Sequence, residues 1–488
     1  MRLENIIQDS GVLEIKGTAA REIAGIADDS RKVVPGGLFI AVKGFAGDGH
    51  AFIPQAIAKG AKAIVYETEG ALEGIDTEDI TFVRVENSRR AVAMMAAAFY
   101  GHPSDKLTLV GITGTNGKTT TVTLLYKLFM GLGYNCGLLS TIANYVGTRR
   151  SETANTTADP ITINRLLAEM CDAGCAYCFM EVSSIGVEQE RVSGLHFKAA
   201  IFSNLTHDHL DYHKTFAEYL RCKKLFFDRL GSDACAIINI DDKNGRVMVQ
   251  NTAARVITYS LRSLADHTAR VMEESFEGMM LRIDGRETWT RLIGRHNAYN
   301  LLAIYSTALA VGATPEEALV AISGLTSAEG RLETLRGPRE ISVVIDYAHT
   351  PDAMENVLST LRDIAPERTL ICLFGCGGDR DRTKRPEMAA VAEKMADKII
   401  VTSDNSRTER TADIMDDIRA GLSPKGLAKS LFIEDRKEAI RTAILTAPER
   451  ATILLAGKGH ETYQIIGTEK RHFDEKEIVT ETFNQISL

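Results

Sequence analysis

A glycine-rich segment in the first third of the chain carries residue types that can hold phosphate. It reads GITGTNGKTT from Gly111 to Thr120. Glycines let backbone N–H groups converge on phosphate oxygens, Lys118 can reach terminal phosphates, and the Thr119 hydroxyl can bind Mg²⁺. The usual pattern has glycine where this chain has Ile112, so we interpret the segment as a variant phosphate-binding loop. The alternative is a strand-to-helix turn that happens to contain Gly-Lys-Thr.

A lysine lies within an apolar helical stripe further along. Apolar or aromatic residues stand at 216, 219, 220, 226, 227 and 230, which share one face at the helical period, and Lys223 falls in the middle of them. A lysine held inward loses solvation, and its neutral amine could react with CO₂ to give a carbamate, an anionic metal ligand. The competing interpretation is a buried ion-pair partner. Lys224, on the flank, is expected to be solvated.

Carboxylate and imidazole groups follow two predicted strands. Glu181 ends an apolar strand, 177–180, and the polar run from Asn204 to His213 follows the strand 199–203. Side chains at the carboxyl ends of parallel strands meet at one edge of a sheet, and a carboxylate near a phosphate-loop threonine suits Mg²⁺. The histidines at 207 and 213 are as readily explained as ordinary loop residues.

The elements that must position these groups have the pattern of an α/β protein. A strand at 107–112 precedes the phosphate loop and a helix at 118–130 follows it, and strands alternate with amphipathic helices from Lys106 onward. The first hundred residues predict a smaller α/β unit, with strands at 38–42 and 63–66 and a helix at 52–59. A new strand at 341–346 begins after Gly337-Pro338. We therefore expect three domains, at 1–102, 103–337 and 338–488.

Composition restricts the function classes. The chain has 488 residues, enough for about three domains, and its formal net charge of −8 argues against broad nucleic-acid binding. No export signal and no membrane-spanning apolar stretch is visible, and the eight cysteines are scattered, so a cytoplasmic protein, not inserted in a membrane, is expected. We interpret the cluster Cys171, Cys175 and Cys178 as core thiols, because a fourth zinc ligand at suitable spacing is lacking.

Taken together, these segments resemble the Mur ligase family. The phosphate loop, EVSS at Glu181–Ser184, the run 204–213 and Lys223 carry the resemblance, and further strings extend it over nearly the whole chain: DSR at 29–31 with Pro35-Gly36, RHNAYN at 295–300, GRLE at 330–333, DYAHTP at 346–351, GCGGDR at 375–380 and GKGHE at 457–461. The resemblance implies an N-terminal UDP-substrate domain, a central ATP-binding domain with a parallel sheet, and a C-terminal Rossmann-like amino-acid-binding domain.

The resemblance also implies ATP and Mg²⁺ as cofactors. Thr119 and Glu181 would hold one Mg²⁺, and His209 and carbamylated Lys223 a second, with Lys118, Glu181, His209 and Lys223 as the catalytic set. The ATP contacts implied are Gly114, Thr115, Asn116, Gly117, Lys118, Thr119, Thr120, Asn297, Asn300, Arg331, Asp346 and His349.

The implied reaction joins a diamino acid to UDP-N-acetylmuramoyl-L-alanyl-D-glutamate through an acyl phosphate, in cytoplasmic peptidoglycan precursor synthesis, by an enzyme taken to be a monomer. The muramoyl substrate would contact Ser30, Thr156, Thr157, Ser183, Gln189 and Arg191. The incoming amino acid would contact Arg380, Asp404, Asn405, Arg407, Gly457 and Glu461.

Arg407 decides the expected amino acid. A guanidinium can bind the distal carboxylate of meso-diaminopimelate, which lysine lacks. The family's diaminopimelate loop usually reads Asp-Asn-Pro-Arg, whereas this chain has Ser406 in place of proline, and Ile185 stands where the family commonly has histidine. Ligation of L-lysine, another ligase of the family such as a folylpolyglutamate or dipeptide-adding enzyme, a phosphate-loop ATPase or kinase, and a non-catalytic nucleotide-binding regulator remain alternatives. Dinucleotide binding by 375–378 is weakly supported, because short glycine runs are common in α/β turns.

Overall fold

The computed structural model describes residues 1–44, 47–75, 79–206 and 210–486. Among these residues the chain forms three larger sheets and one hairpin, with helices packed on the sheets. Short 3₁₀ helices lie at Ser30–Lys32, Gly49–Phe52, Pro103–Asp105 and Pro338–Glu340. The three-domain α/β class predicted from the sequence is confirmed.

The N-terminal sheet has five strands in the order β1-β5-β4-β3-β2, and only β1 runs antiparallel to its neighbour. Its core is built from strand residues that are buried on both faces, as expected for parallel strands. The elements are β1 Val12–Lys16, β2 Ile26–Ala27, β3 Leu38–Ile40, β4 Ala63–Tyr66 and β5 Thr81–Val85, with α1 Leu3–Ile6, α2 Ile53–Ala58 and α3 Ser88–Phe99.

The central sheet has eleven strands in the order β16-β15-β14-β13-β12-β11-β6-β10-β7-β8-β9. The middle strands are parallel, whereas β14 to β16 and β7 to β9 pair antiparallel at the two ends. The strands are β6 Thr108–Thr113, β7 Cys136–Leu139, β8 Asn144–Val146, β9 Arg149–Ser151, β10 Tyr177–Glu181, β11 Ala199–Phe202, β12 Cys235–Asn239, β13 Arg255–Ser260, β14 His267–Ser275, β15 Gly278–Ile283 and β16 Arg286–Thr290.

The helices of this region cover both faces of the sheet. Alternate residues of β6 explain the two-sided core, because Val110 and Ile112 pack with the helix that follows the phosphate loop, whereas Leu109 faces the opposite cluster. The helices are α4 Lys118–Gly131, α5 Pro160–Asp172, α6 Ser184–Glu188, α7 Leu210–His213, α8 Phe216–Asp228, α9 Gly245–Met248, α10 Arg295–Ala310 and α11 Pro315–Gly324.

The C-terminal sheet has six strands in the order β17-β18-β22-β19-β20-β21, and all pairs except β17 with β18 are parallel. The strands are β17 Glu333–Arg336, β18 Ser342–Asp346, β19 Leu370–Phe374, β20 Lys398–Val401, β21 Ser430–Phe432 and β22 Thr452–Ala456, and the hairpin is β23 Tyr463–Ile466 with β24 Glu469–His472. The helices are α12 Pro351–Ile364, α13 Lys384–Met395, α14 Thr411–Arg419, α15 Pro424–Ala428, α16 Arg436–Leu445 and α17 Glu475–Ile486.

The predicted strand, loop and helix around Lys118 match β6 and α4 to within one residue, and the predicted helix over 216–230 corresponds to α8. The exact domain boundaries stay predictions. In the part of the chain that the structure describes, no helix combines the length and the apolar character needed to cross a membrane.

Candidate active site

A cavity of about 940 Å³ lies between the central sheet and the C-terminal sheet. The central region contributes the phosphate loop and the residues after β10. The C-terminal region contributes the start of α12 and three loops, which follow β19, β20 and β22. Ligand sites in parallel sheets form beyond the carboxyl ends of the strands, and here two such edges face one another. The cavity therefore unites the predicted phosphate site with the predicted amino-acid loops.

The phosphate loop adopts a conformation that glycine makes possible. Gly117 has a φ of 89°, and a Cβ there would lie 2.5 Å from the Asn300 Oδ1 atom. Lys118 Nζ donates to the carbonyls of Gly114 at 2.9 Å and Thr115 at 2.7 Å. These carbonyls keep the ammonium group at the loop, where bound phosphate would meet it.

Ile112 explains why the loop departs from the usual pattern. The residue belongs to β6, is fully buried, and pairs with Glu181 of β10 and Ile201 of β11. The chain is therefore still extended at this position, and the turn begins after Thr113. A branched apolar residue suits a strand that is covered on both faces, whereas glycine would weaken it.

Glu181 and Thr119 form a candidate cation site. The Thr119 hydroxyl donates to Glu181 Oε1 at 2.9 Å, and the Thr141 amide donates to the same oxygen at 2.8 Å. The other oxygen, Oε2, is buried and has no hydrogen-bond partner among the described residues. A buried carboxylate oxygen needs a partner, and Mg²⁺ prefers oxygen ligands, so the two residues fit one Mg²⁺.

Lys223 lies inside, as its place in the apolar stripe predicted. Its side chain is 1% exposed, and Nζ donates to the Gly114 carbonyl at 2.8 Å and to Thr113 Oγ1 at 3.4 Å. Lys224 forms an ion pair with Asp228 at 2.6 Å. The amine of Lys223 thus reaches the cavity beside the phosphate loop.

The histidines of the run from Asn204 to His213 divide into two groups. His207 and His209, including the predicted metal ligand, lie outside the described residues. His213 is buried, and its Nε2 atom is 2.9 Å from Ser184 Oγ. Asn204 holds the phosphate loop, since its Oδ1 accepts from the Asn116 amide at 2.9 Å.

The residues predicted to bind the muramoyl substrate form one network below the cavity, with a single exception. Arg191 donates to the Thr157 carbonyl at 2.6 Å and to Gln189 Oε1 at 2.7 Å, and the Ser183 amide donates to Thr157 Oγ1 at 2.9 Å. Thr156 adjoins them through Thr141, at 3.1 Å. The exception is Ser30, which lies in the N-terminal domain and donates to Gln55 at 2.7 Å.

Several predicted nucleotide contacts lie beside the cavity rather than on its surface. Asn297 and Asn300 are buried at the start of α10, joined by a 3.0 Å hydrogen bond. Both carboxylate oxygens of Asp346 accept backbone amides, from Leu332 and Ala348, each at 2.8 Å. Burial raises the pKa of Asp346 and nearby Arg331 opposes this shift.

Three further predicted nucleotide contacts lie on the cavity surface itself. These are Arg331, His349 and Thr120.

The predicted amino-acid residues converge on the C-terminal side of the cavity, which is lined by Arg380, Asp404, Asn405, Arg407, Gly457 and Glu461. Asn405 Nδ2 donates to Glu461 Oε2 at 2.8 Å. Burial would raise the pKa of Asp404, but the Lys458 and Arg436 cations lower it below its usual range. The carboxylates are therefore held ready to meet an ammonium group.

Lys458 is a residue of this site that the sequence analysis did not single out. Its side chain is fully buried, and Nζ lies 3.2 Å from Asn405 Oδ1, 3.2 Å from Glu461 Oε2 and 3.6 Å from Asp404 Oδ1. The signal was present, because a lysine between two glycines beside a predicted ligand residue is an unusual place for a solvated cation.

Asp352 is a second residue that was missed. It stands at the start of α12 in the C-terminal region, and Oδ2 accepts from Asn116 Nδ2 at 2.8 Å and from Thr206 Oγ1 at 3.2 Å. Asn116 belongs to the phosphate loop, so this carboxylate connects the loop to the other side of the cavity. Sequence alone gives no indication of such a contact between distant segments.

Comparison with known proteins agrees with this geometry. The sequence profile of the Mur ligase middle domain matches residues 112–308, that of the Mur ligase glutamate ligase domain matches 330–459, and that of the Mur ligase family catalytic domain matches 22–100. The chain belongs to the Mur ligase family. The three matched Mur ligase segments coincide with the three sheets of the structure.

Similar curated proteins carry a more specific name. A UDP-N-acetylmuramoyl-L-alanyl-D-glutamate–2,6-diaminopimelate ligase of Phocaeicola vulgatus is 50% identical over 484 residues, 99% of each chain. The Bacillus cereus protein of the same name is 43% identical over 94% of each chain. A solved structure with that name is 30% identical, with a TM-score of 0.72, and covers 100% of this chain and 99% of its own. The MurF structure from Acinetobacter baumannii, 17% identical with a TM-score of 0.65, shows the shared Mur ligase fold.

Proposed function

We propose that the protein is an ATP-dependent ligase that joins meso-2,6-diaminopimelate to UDP-N-acetylmuramoyl-L-alanyl-D-glutamate in peptidoglycan precursor synthesis. The observation that carries the proposal is the single cavity that unites Lys118 and Glu181 with Arg407 and Glu461. An amide ligase needs a phosphate site and an amine site within reach of one carboxylate. The names of the relatives described above support the same substrates.

The reaction begins at the phosphate side of the cavity. The D-glutamyl carboxylate attacks the γ-phosphorus of ATP, ADP leaves, and an acyl phosphate forms. Lys118 neutralises charge on the transferred phosphoryl group, and Thr119 with Glu181 would hold one Mg²⁺. That ion, when bound, supplies further neutralisation of phosphate charge. A second Mg²⁺ site made by His209 and carbamylated Lys223 stays part of the proposal.

The second step takes place at the same carboxyl carbon. The deprotonated amine of the amino acid attacks the acyl carbonyl, the tetrahedral intermediate expels inorganic phosphate, and an amide remains. An acyl phosphate hydrolyses in water, so the enclosure of the reaction between two domains protects the intermediate. We place the reaction in the cytoplasm, where ATP and UDP-linked substrates occur, and assign it to a monomer.

Amino-acid choice follows from charge at the far side of the cavity. Diaminopimelate has a carboxylate and an ammonium group at its distal end, whereas lysine has only the ammonium group. Arg380 and Arg407 offer guanidinium groups for the carboxylate, and Glu461 offers an anion for an ammonium group. A pocket with two arginines leaves cationic charge uncompensated when lysine binds, so diaminopimelate is favoured.

The proposal is tested by incubating the purified protein with ATP, Mg²⁺ and the UDP-linked dipeptide. meso-Diaminopimelate and L-lysine are supplied in separate reactions, and phosphate release and product mass are followed. A tripeptide product with diaminopimelate, and little with lysine, is expected. Product with lysine alone would retain the ligase reaction but overturn the assigned amino acid. Phosphate release without any amide product would indicate an ATPase.

A further inference from the structure

Two loops on the amino-acid side of the cavity are packed directly against one another. We name them the glycine loop, Gly375–Arg380, and the arginine loop, Asp404–Glu409. The Gly378 amide donates to the Asn405 carbonyl at 2.9 Å, and Arg407 Nη1 donates to the Gly378 carbonyl at 2.8 Å. A Cβ at Gly378 would lie 1.9 Å from the Ser406 carbonyl oxygen. The glycine run thus serves loop-to-loop contact, which explains its composition without a dinucleotide.

Each loop contains a non-glycine residue in the left-handed backbone region. Asp379 has a φ of 54° and Arg407 a φ of 50°. Such conformations are unfavourable for residues with a Cβ and persist only where surrounding contacts impose them. Contacts of this kind are present, since Thr408 Oγ1 donates to Asp379 Oδ1 at 2.7 Å and the Arg407 amide donates to the Ile465 carbonyl at 3.2 Å.

Glu409 connects both loops to a buried cation. Its Oε1 atom accepts the Asp379 amide at 2.6 Å and Arg385 Nη2 at 2.8 Å, while Oε2 accepts Arg385 Nη1 at 2.9 Å. Arg385 is fully buried and also donates to the Gly377 carbonyl at 3.2 Å and to Asp417 at 2.8 Å. Its hydrogen bonds lower the pKa of Glu409 to about 2, so the carboxylate is ionised at neutral pH.

We propose that Glu409, held by Arg385, is a positioning residue that fixes the arginine loop against the glycine loop and so orients Arg407 toward the distal carboxylate of the amino acid. Glu409 itself is not among the cavity-lining residues. It acts through the loops rather than on the substrate. The inference rests on the proposed function, because it assumes an amino acid with a carboxylate at that end.

The same contacts compensate for the serine at position 406. Proline would fix the backbone dihedral of that residue. Ser406 lacks this restraint, and within the described residues its amide donates no hydrogen bond, so the residue itself contributes little to holding the loop. The free amide and the absence of a positive φ also mean that proline can be introduced here. Glu409 and a proline at 406 should therefore be partly interchangeable.

The test compares steady-state kinetics of four variants with those of the unaltered enzyme. Glu409→Ala removes the connection, Glu409→Gln keeps the shape and one acceptor oxygen, and Glu409→Ala with Ser406→Pro adds the rigid residue back. Asp417→Asn is the matched control, because it removes the other carboxylate bound to Arg385 without touching either loop. Thermal unfolding of each variant is measured alongside, to separate local from global effects.

We expect Glu409→Ala to raise the KM for diaminopimelate about tenfold or more, with the KM for ATP unchanged, since displaced arginines lose their alignment with the substrate. Glu409→Gln should lie between, and Ser406→Pro should recover part of the loss in the double variant. Asp417→Asn should change the KM for diaminopimelate by less than about twofold.

The outcomes separate the two levels of inference. If the unaltered enzyme does not ligate diaminopimelate, the proposed function fails before any variant is compared. If it does, equal losses for ATP and diaminopimelate in Glu409→Gln, an unchanged KM in Glu409→Ala, or an effect of Asp417→Asn as large as that of Glu409→Ala would overturn the positioning role. Absence of recovery by Ser406→Pro would overturn the exchange with proline.

Discussion

At the scale of single residues, Glu181 is distinguished by the unequal use of its two oxygens. Oε1 accepts two hydrogen bonds, whereas Oε2 is buried and has no hydrogen-bond partner in the described part of the chain. Glu181→Gln removes the negative charge while keeping the shape. We expect kcat to fall on the order of 100-fold and the Mg²⁺ concentration for half-maximal rate to rise. Titrating activity against Mg²⁺ measures both.

The control for this variant is Glu190→Gln. Glu190 lies outside the cavity and forms an ion pair with Arg229 at 2.7 Å, so its replacement should leave the Mg²⁺ titration unchanged. An unaltered titration in Glu181→Gln would exclude Glu181 as a metal ligand.

Lys223 gives a second prediction at this scale. Lys223→Arg keeps a cation near the Gly114 carbonyl but cannot form a carbamate, whereas Lys224→Arg alters the neighbouring lysine that pairs with Asp228. With ¹³C-labelled bicarbonate, we expect a carbamate carbon signal in the unaltered protein and in Lys224→Arg, and none in Lys223→Arg. A signal that persists in Lys223→Arg would place the modification elsewhere.

At the scale of elements, helix α17 is anchored by a buried ion pair. Arg436 and Glu475 are joined at 2.8 Å, with side chains 0% and 1% exposed, and Arg436 also donates to the carbonyls of Ser403 and Ala456. Glu475→Ala leaves a buried cation without its counter-ion, so we expect the free energy of unfolding to fall by about 3–5 kcal/mol. Urea denaturation measures this change.

An exposed pair on the same helix provides the comparison. Glu481 lies 3.3 Å from Lys437, with side chains 60% and 46% exposed. Glu481→Ala should therefore cost less than about 1 kcal/mol. Similar losses in the two variants would mean that burial does not determine the strength of the Arg436 pair.

The elements differ in how well the sequence predicts them. The strand, loop and helix around Lys118 and the helix that buries Lys223 were found to within two residues, because glycine punctuation and apolar periodicity are local signals. The antiparallel strands β8, β9 and β14 to β16 were not found. Their pairing depends on partners that only the folded chain supplies, since strand propensity depends strongly on context.

The site shows the same division. Glu181 was predicted because it ends an apolar strand, and its place beside Thr119 followed from the order of a parallel sheet. Lys458, Asp352 and Glu409 were not predicted, because each acts through a segment that is distant in sequence or through a loop whose course the sequence does not reveal. The metal-ligand role of His209 stays a prediction, since that residue lies outside the described ranges.

At the scale of the whole molecule, Arg331 lies between two histidines from different domains. His296 begins the last long helix of the central region, His460 follows β22 in the C-terminal region, and burial, with the Arg331 cation, lowers the pKa of each to about 4. The unfolded chain binds these protons near pH 6.5. Stability is therefore complete above pH 6.5 and is lost as the pH falls toward 4.

This sign predicts a measurable pH dependence of unfolding. We expect the free energy of unfolding to decrease from pH 7 to pH 5, and His296→Gln or His460→Gln to reduce that slope. His472→Gln is the control, because His472 is exposed and its pairing with Glu477 raises its pKa instead. A slope unaffected by either buried-histidine variant would assign the pH dependence to other groups.

The order of strands in the central sheet also bears on how the protein is made. Strand β6 lies in the middle of that sheet, yet its partners β10 and β11 end only at Glu181 and Phe202. A growing chain therefore exposes β6 with two open edges, together with its apolar residues, until almost a hundred further residues have left the ribosome. Open strand edges invite pairing with other chains. Synthesis of this protein should thus include an interval in which a chaperone that covers strand edges improves the yield.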